Sequence, residues 1–301
     1  MNEIDGLRQL LATAGVTDVV ISGSAFAQAD FGSGLIEIDS PFSSDRTMAA
    51  AMITLALEAG SRLDIAKPIA DFSFQGARYN AVLPQGVSDK PLLSIRVHPR
   101  RRVLLAHLVE AQMLSERQAG FLKSQLFQKK NILISGATSS GKTTLLGALL
   151  AEISERVVVL EQTPELFVEP PAVAMTERIA NQEGAGAVEL DALVINALRM
   201  RPDRIVVGEV RSKEFKVLLQ AMNNGHRGTI ATLHASSLSQ IPERLEMLGV
   251  LSGLTSEITT RMVASSVDLF LQLENLHGRR LSAIGEPYME SGRLVVRELD
   301  L

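Results

Sequence analysis

The chain has 301 residues, 46% hydrophobic and 21% charged, enough for a sizeable core in about two domains and incompatible with a disordered or fibrous protein. There are 30 Lys and Arg against 34 Asp and Glu, a formal net charge of -4, which argues against a whole-protein electrostatic grip on nucleic acid while leaving room for a local basic patch. With no Cys, disulfides, Cys-ligated zinc and thiol catalysis are excluded together, and a reducing, cytoplasmic compartment is the default expectation.

Met1–Asp5 lacks the basic and apolar regions of a signal peptide, so export is not expected. Leu7, Leu10, Leu11 and Ala14 recur at helical spacing, and Val19-Val20-Ile21 reads as a strand running into Ser22-Gly23-Ser24. The apolar stretch Met48–Leu57 is about half the ~20 residues of a membrane-spanning helix, so it predicts a buried helix and at most peripheral membrane association. Tyr79–Pro84 and Leu92–Val97 predict strands bounded by Pro and Gly, which makes residues 1–97 an α+β domain. His98-Pro99-Arg100-Arg101-Arg102 then breaks both periodicities, and Pro99 disfavours helix at His98; a basic, solvated linker is expected over 98–107. The basic run has anionic lipid or a neighbouring subunit as its alternative partners.

From residue 108 to 301 a helical stretch through Leu126 leads to a strand at Asn131–Ser135, a Gly-rich turn and a helix from Lys142. Further strands are predicted at Val157–Leu160, Ile205–Val207 and Gly228–Leu233, with a long amphipathic helix over Leu190–Met200. Strands alternating with helices predict an α/β domain whose mostly parallel sheet is covered on both faces.

Gly136-Ala137-Thr138-Ser139-Ser140-Gly141-Lys142-Thr143 fits G-x-x-x-x-G-K-[ST], directly after an apolar strand and before the helical Thr144–Leu150. In that context backbone N–H groups converge on phosphates at a helix N-terminus, Lys142 reaches the β- and γ-phosphates, and Thr143 Oγ1 ligates Mg²⁺; the expected cofactors are ATP and Mg²⁺. The bland alternative is a Gly/Ser surface turn with a solvated lysine. Hydrolysis also needs a carboxylate that orients water at the end of a neighbouring strand, and Glu209 follows Ile205-Val206-Val207-Gly208. Glu161 and Glu165 follow the Val157–Leu160 strand and belong to the same edge. His234 falls at a strand end, where it could sense the γ-phosphate or bond Glu209; His226 sits in a Gly-flanked turn. Each also has a plainer reading: a polar residue ending a strand, solvated loop charges, satisfied structural histidines. The two histidines are too far apart for an i,i+4 metal site, so zinc is not expected.

With these blocks in order, the chain resembles the bacterial type II/type IV secretion ATPase superfamily, and most closely its CpaF/TadA branch of tight-adherence pilus assembly. The most specific stretch is Leu198-Arg199-Met200-Arg201-Pro202-Asp203-Arg204-Ile205-Val206-Val207-Gly208-Glu209-Val210-Arg211, followed by Glu214 and Gly225–His234. Pro68–Asp71, Gly76–Pro84, Leu93–Arg96, Arg244-Leu245-Glu246 and Ser265–Asp268 extend it. The resemblance implies a RecA-like P-loop NTPase domain after a smaller α+β, PAS-like domain. It implies that Glu209 is the general base or water-orienting residue and contacts Mg²⁺ through water. Glu161 and Glu165 would be the acidic box, His234 the phosphate-proximal histidine, and Arg211 a further catalytic residue. The loop Gly136–Thr143 with Thr144 would bind nucleotide, and Arg78 and Arg96 would reach it from the first domain, as an arginine finger does; their alternative is a salt bridge on a solvated sheet face.

The same resemblance implies a hexameric homo-oligomer at an inner-membrane platform protein, driving pilus assembly or secretion from the cytoplasmic side, with no direct nucleic-acid contact. Asn224-Gly225-His226 stands where Thr-Gly-His is usual, and Glu161-Gln162 where the family commonly has Glu-Asp; Gln162 brings no charge to Mg²⁺-bound water, so slower turnover is expected. Many CpaF-like proteins carry extra N-terminal helices, and contacts made by such helices are not expected here. The competing functions are a retraction or DNA-transfer ATPase of the same superfamily, a nucleotide-gated scaffold that does not hydrolyse, motivated by Gln162, and a RecA-like DNA motor. The last is weakened by the acidic charge and the absence of Trp.

Overall fold

A computed structural model describes residues 3–32, 34–97, 102–178, 180, 185–276 and 278–300. The chain forms two compact units, Met1–Arg100 and Arg101–Leu301. Of the expected linker, His98, Pro99, Arg100 and Arg101 lie outside the described residues; Arg102 donates to the Ala151 carbonyl, and a helix begins at Leu105.

The first unit carries helices α1 (Glu3–Leu11) and α2 (Asp45–Glu58) and strands β1 (Asp18–Ser22), β2 (Ala27–Asp30), β3 (Leu35–Ile38), β4 (Ile69–Phe74), β5 (Ala77–Val82) and β6 (Leu92–Val97). The strands form one antiparallel sheet in the order β3-β2-β1-β6-β5-β4. α2 starts at Ser44, whose Oγ accepts the Thr47 amide at 3.2 Å while Thr47 Oγ1 accepts the Ser44 amide at 3.2 Å, a reciprocal cap. Period-2 alternation buries Val19, Ile21, Tyr79, Ala81, Leu93 and Ile95 with Met48, Met52 and Leu55 of α2. It turns Asp18, Arg78 and Arg96 to the open face, where Arg96 stands directly opposite both Asp18 and Arg78 across the strands.

The second unit begins with α3 (Leu105–Glu110) and α4 (Glu116–Phe127), then β7 (Ile132–Gly136), α5 (Lys142–Ala151), β8 (Val157–Glu161), β9 (Val173–Thr176) and α6 (Leu190–Ala197). β10 (Arg204–Val207), α7 (Glu214–Asn223), β11 (Ile230–Leu233), α8 (Ile241–Leu251), α9 (Ser256–Ser266), β12 (Leu269–Glu274), β13 (Arg280–Glu290) and β14 (Arg293–Glu298) complete it. The sheet order is β14-β13-β12-β7-β11-β10-β8-β9, with the six strands from β12 to β9 parallel and β13 and β14 added as an antiparallel hairpin. The fold is therefore the α/β architecture with a mostly parallel sheet that the sequence predicts.

Every residue of β7, β8, β10 and β11 is buried, as a sheet covered on both faces requires. Alternate residues feed two cores: Leu133, Leu160, Val207 and Leu233 pack with α6–α9, and Ile134, Val159, Val206 and Leu271 pack with α3–α5. At the end of β7 opposite the phosphate loop, the buried Asn131 side chain joins three segments. Its Nδ2 donates to Ser266 O at 2.7 Å, its Oδ1 accepts the Thr229 amide at 3.0 Å, and its own amide donates to Asp268 at 2.8 Å.

Two elements are shorter than the pattern predicts. α6 stops at Ala197 because the chain turns through a left-handed Arg201 (φ 53°) ahead of Pro202, and β11 starts at Ile230 because the chain is still turning at Gly228 (φ 77°). Among the described residues, no helix is long and apolar enough to cross a membrane.

Candidate functional site

The C-terminal ends of the parallel strands bring the chemistry together. β7 ends at Gly136 (φ 155°), where a Cβ would lie 2.4 Å from Ser140 Oγ and 2.7 Å from the Leu273 carbonyl, so no side chain fits. α5 starts after Gly141 (φ 96°) with no side chain capping its first turn, which leaves amide donors for an anion. Lys142 is 8% exposed, and its ammonium donates to the carbonyls of Gly136 and Ala137 at 2.8 Å each. Burial lowers the Lys142 pKa, opposed by the Glu209 charge.

On β8, Glu161 is 3% exposed. Its Oε1 accepts the amides of Glu165 and Leu166 at 3.1 Å each, which shapes the turn so that Glu165 Oε2 accepts the Thr143 hydroxyl at 3.2 Å. Desolvation pushes the Glu161 carboxyl up to about 7, the two amides pulling it down and the Glu165 charge adding to the rise. A Cβ at Gly208 would come within 2.9 Å of Glu161 Cγ, so the Gly of the Gly208-Glu209 pair is what admits Glu161.

Glu209 follows β10. Thr232 Oγ1 donates to Gly208 O at 2.5 Å and the Val210 amide donates to Thr232 O at 2.8 Å, fixing the backbone on either side of it. Arg211 Nη2 donates to Glu209 Oε2 at 2.7 Å. His234 Nε2 stands 2.8 Å from Glu209 Oε1, an ion-pair distance at which the ring N–H is not aligned as a hydrogen bond, leaving that buried oxygen without a hydrogen-bond donor. On the other side of the ring, Nδ1 is 3.3 Å from the Lys142 ammonium. The ring thus stands between the Glu209 carboxylate and the Lys142 ammonium, within reach of both. Burial lowers the His234 pKa, with Lys142 and Arg211 adding and Glu209 opposing. Burial alone would raise Glu209, but the Arg211 bond and the charges of His234, Arg211 and Lys142 outweigh it and hold the carboxylate below its ordinary range.

The residues fit a magnesium-bound nucleoside triphosphate. Ser140 Oγ is buried with no partner inside the loop, and Lys142 is parked on loop carbonyls that a phosphate would replace. The Thr143 hydroxyl beside Glu165 supplies the hard oxygens Mg²⁺ takes when phosphates complete its shell.

The structure thus gathers Glu161, Glu165, Glu209, Arg211 and His234 around the loop Gly136–Thr143. Arg78 and Arg96 belong to the first unit, where Arg78 Nε and Nη2 donate to Asp71 at 2.9 and 2.8 Å and Arg96 Nε donates to Asp18 at 2.9 Å. Two further residues that the sequence pattern does not single out join the site: Thr232, and Gln272, which is buried and accepts the Ser135 hydroxyl at 2.6 Å while its amide reaches Ala235 O at 3.4 Å. A lone Gln inside the apolar run Leu269–Leu273 was the available signal.

A Walker-type loop on a RecA-like parallel sheet, with a carboxylate on the adjoining strands, defines the class: a P-loop NTPase fold. Residues 76–277 match the family described as type II/IV secretion system protein, and the chain belongs to that family. A Mycobacterium tuberculosis protein named for conjugal transfer is 37% identical over 96% of this chain and 85% of its own length. The conjugal transfer protein TrbB of Rhizobium radiobacter is 32% identical over 79% of this chain and 74% of its own. Among solved structures, the pilus retraction motor PilT with bound ADP shares the fold, with a TM-score of 0.67 at 17% identity over 99% of this chain and 82% of that one.

Proposed function

We infer that this chain is a motor ATPase: it binds Mg-ATP on Gly136–Thr144 and hydrolyses it to drive a secretion, conjugation or pilus machine. The observation that carries the reading is the linked set Lys142, His234, Glu209 and Arg211, with contacts of 3.3, 2.8 and 2.7 Å. Glu209 stays ionised at neutral pH and takes a proton from the attacking water. Arg211 holds one of its oxygens, and His234 links the other to the lysine that meets the phosphates. Thr143 and Glu165 would hold Mg²⁺, which would offset phosphate charge when bound, and Glu161 sets the Glu165 turn. Arg78 and Arg96 exchange their Asp partners for the nucleotide when a hexameric ring of such chains closes at an inner-membrane platform protein.

The experiment is phosphate release by the purified chain. Lys142→Ala should abolish nucleotide binding, and Glu209→Gln should bind while turnover drops by ~100-fold or more. Intact turnover in Glu209→Gln overturns the assignment of the base. Nucleotide binding without phosphate release in the unaltered chain supports instead the scaffold reading tied to Gln162.

A second reading concerns the task. Two relatives above 30% identity carry conjugal-transfer names, which favours a DNA-transfer apparatus over tight-adherence pilus assembly.

A further inference from the structure

The phosphate loop is gripped from outside by groups that belong to neither of its flanking elements. Ser139, at its crest, has φ 62°, a left-handed conformation that a serine seldom adopts without outside support. Its carbonyl receives two side-chain donors, Arg279 Nε at 3.2 Å and Asn275 Nδ2 at 3.4 Å. Both come from the turn between β12 and β13. The Ser140 amide, on the other side of the same peptide, donates to Ala137 O at 3.3 Å, so this peptide is held at both its carbonyl and its N–H.

The turn is itself anchored. β12 runs parallel to β7 with Leu273 opposite Gly136, the Leu281 amide donates to Met113 O at 2.8 Å, and Gln118 Nε2 donates to Leu281 O at 3.3 Å. Met113 Cε and Arg279 Cδ lie 2.8 and 3.4 Å from the point a Cβ on Gly141 would occupy, so the Arg279 side chain runs along the loop to the residue before α5. Arg280 is committed to Glu274 at 3.4 Å and Arg211 to Glu209. Arg279 is exposed and makes no ion pair among the described residues.

The geometry points to Arg279 as a further nucleotide-binding residue, held beside Asn275 on the rim of the phosphate loop: its Nε fixes the Ser139 carbonyl, and its remaining guanidinium N–H groups bring positive charge to the polyphosphate of a nucleoside triphosphate. This rests on the nucleotide-binding reading above. Because Arg279 acts on the bound state through loop shape and charge, and lies on no strand that bears the hydrolytic carboxylates, it sets affinity and leaves the chemical step alone.

The test is equilibrium binding of a fluorescent ATP analogue with Mg²⁺ to the full chain, with steady-state phosphate release beside it. A partly exposed charge-assisted contact predicts about five- to tenfold weaker binding for Arg279→Ala, with KM raised by the same factor, kcat within about twofold and an unchanged melting temperature. Arg279→Gln, which keeps a donor for Ser139 without the charge, should fall between. The gap between Arg279→Ala and the unaltered chain should narrow as salt rises from about 0.05 to 0.5 M. Binding by Arg279→Ala within about twofold of the unaltered chain, while Lys142→Ala has lost it, overturns the inference and spares the nucleotide site. A kcat loss at unchanged KM overturns it too. Failure of the unaltered chain to bind nucleotide removes both readings together.

Discussion

Glu161 is a carboxyl held almost out of solvent by the close approach of Gly208, and its consequence is a pH dependence of defined sign. Its folded value is about 7 against an ordinary value of 4.5, so between those limits the folded chain holds a proton that the unfolded chain releases. The stability linked to this group is full below about 4.5 and is lost as pH rises through 7. Glu161→Gln keeps an oxygen for the Glu165 and Leu166 amides and never ionises. It should therefore stabilise the chain by on the order of 2 kcal/mol at pH 8 and by little at pH 4.5. Thermal melts at the two pH values check this, and an equal shift at both rules out the buried-proton account. From the sequence Glu161 is a charge after a strand. Its burial was not legible there, because it depends on Gly208, 47 positions away in the numbering, lying beside it just past the end of β10. The loop, Glu209 and His234 were legible because their signals are local: a fixed spacing, and polar residues at the ends of apolar runs.

At the scale of elements, β7, β8, β10 and β11 could be read from sequence as short apolar runs between helices. The insertion of β12 beside β7 could not, since neighbours in a parallel sheet need not be neighbours in the chain and the pairing is set by tertiary packing. Arg279 and Asn275 were invisible for the same reason. The staple at Asn131 shows the other end of this arrangement. Asn131→Ala leaves the buried Thr229 amide without its acceptor and Ser266 O without its donor, a loss of about 2–4 kcal/mol. Because those contacts sit at the start of β7 and the phosphate loop at its end, the melting temperature should drop by several degrees while nucleotide affinity, measured well below the melt, stays put. A parallel loss of affinity would mean that the loop depends on the whole strand and not on its local grip.

For the molecule as a whole, the open face of the first unit carries Asp71, Arg78, Arg96 and Asp18 as two ion pairs whose cations stand opposite one another. Exposed pairs of this kind contribute ~0–1 kcal/mol. Arg78→Ala and Arg96→Ala should therefore leave the melt nearly unchanged, and if the two units share one reaction, phosphate release should decline by at least about tenfold. Full activity in both variants would confine the chemistry to the second unit.

The strand order carries a last consequence, for synthesis. Asn275 lies 136 residues beyond Ser139, so a ribosome delivers the phosphate loop long before the strand and turn that brace it. Translation proceeds from the N-terminus, and until β12 emerges β7, with its apolar Ile132, Leu133 and Ile134, presents an unpaired edge on that side that invites chaperone capture. Nascent chains stalled with Leu269 still inside the ribosome should ignore a nucleotide affinity resin, and those released past Leu281 should be retained by it. Maturation of the site would then be timed by the emergence of β12 and the turn after it and not by the appearance of its signature motif.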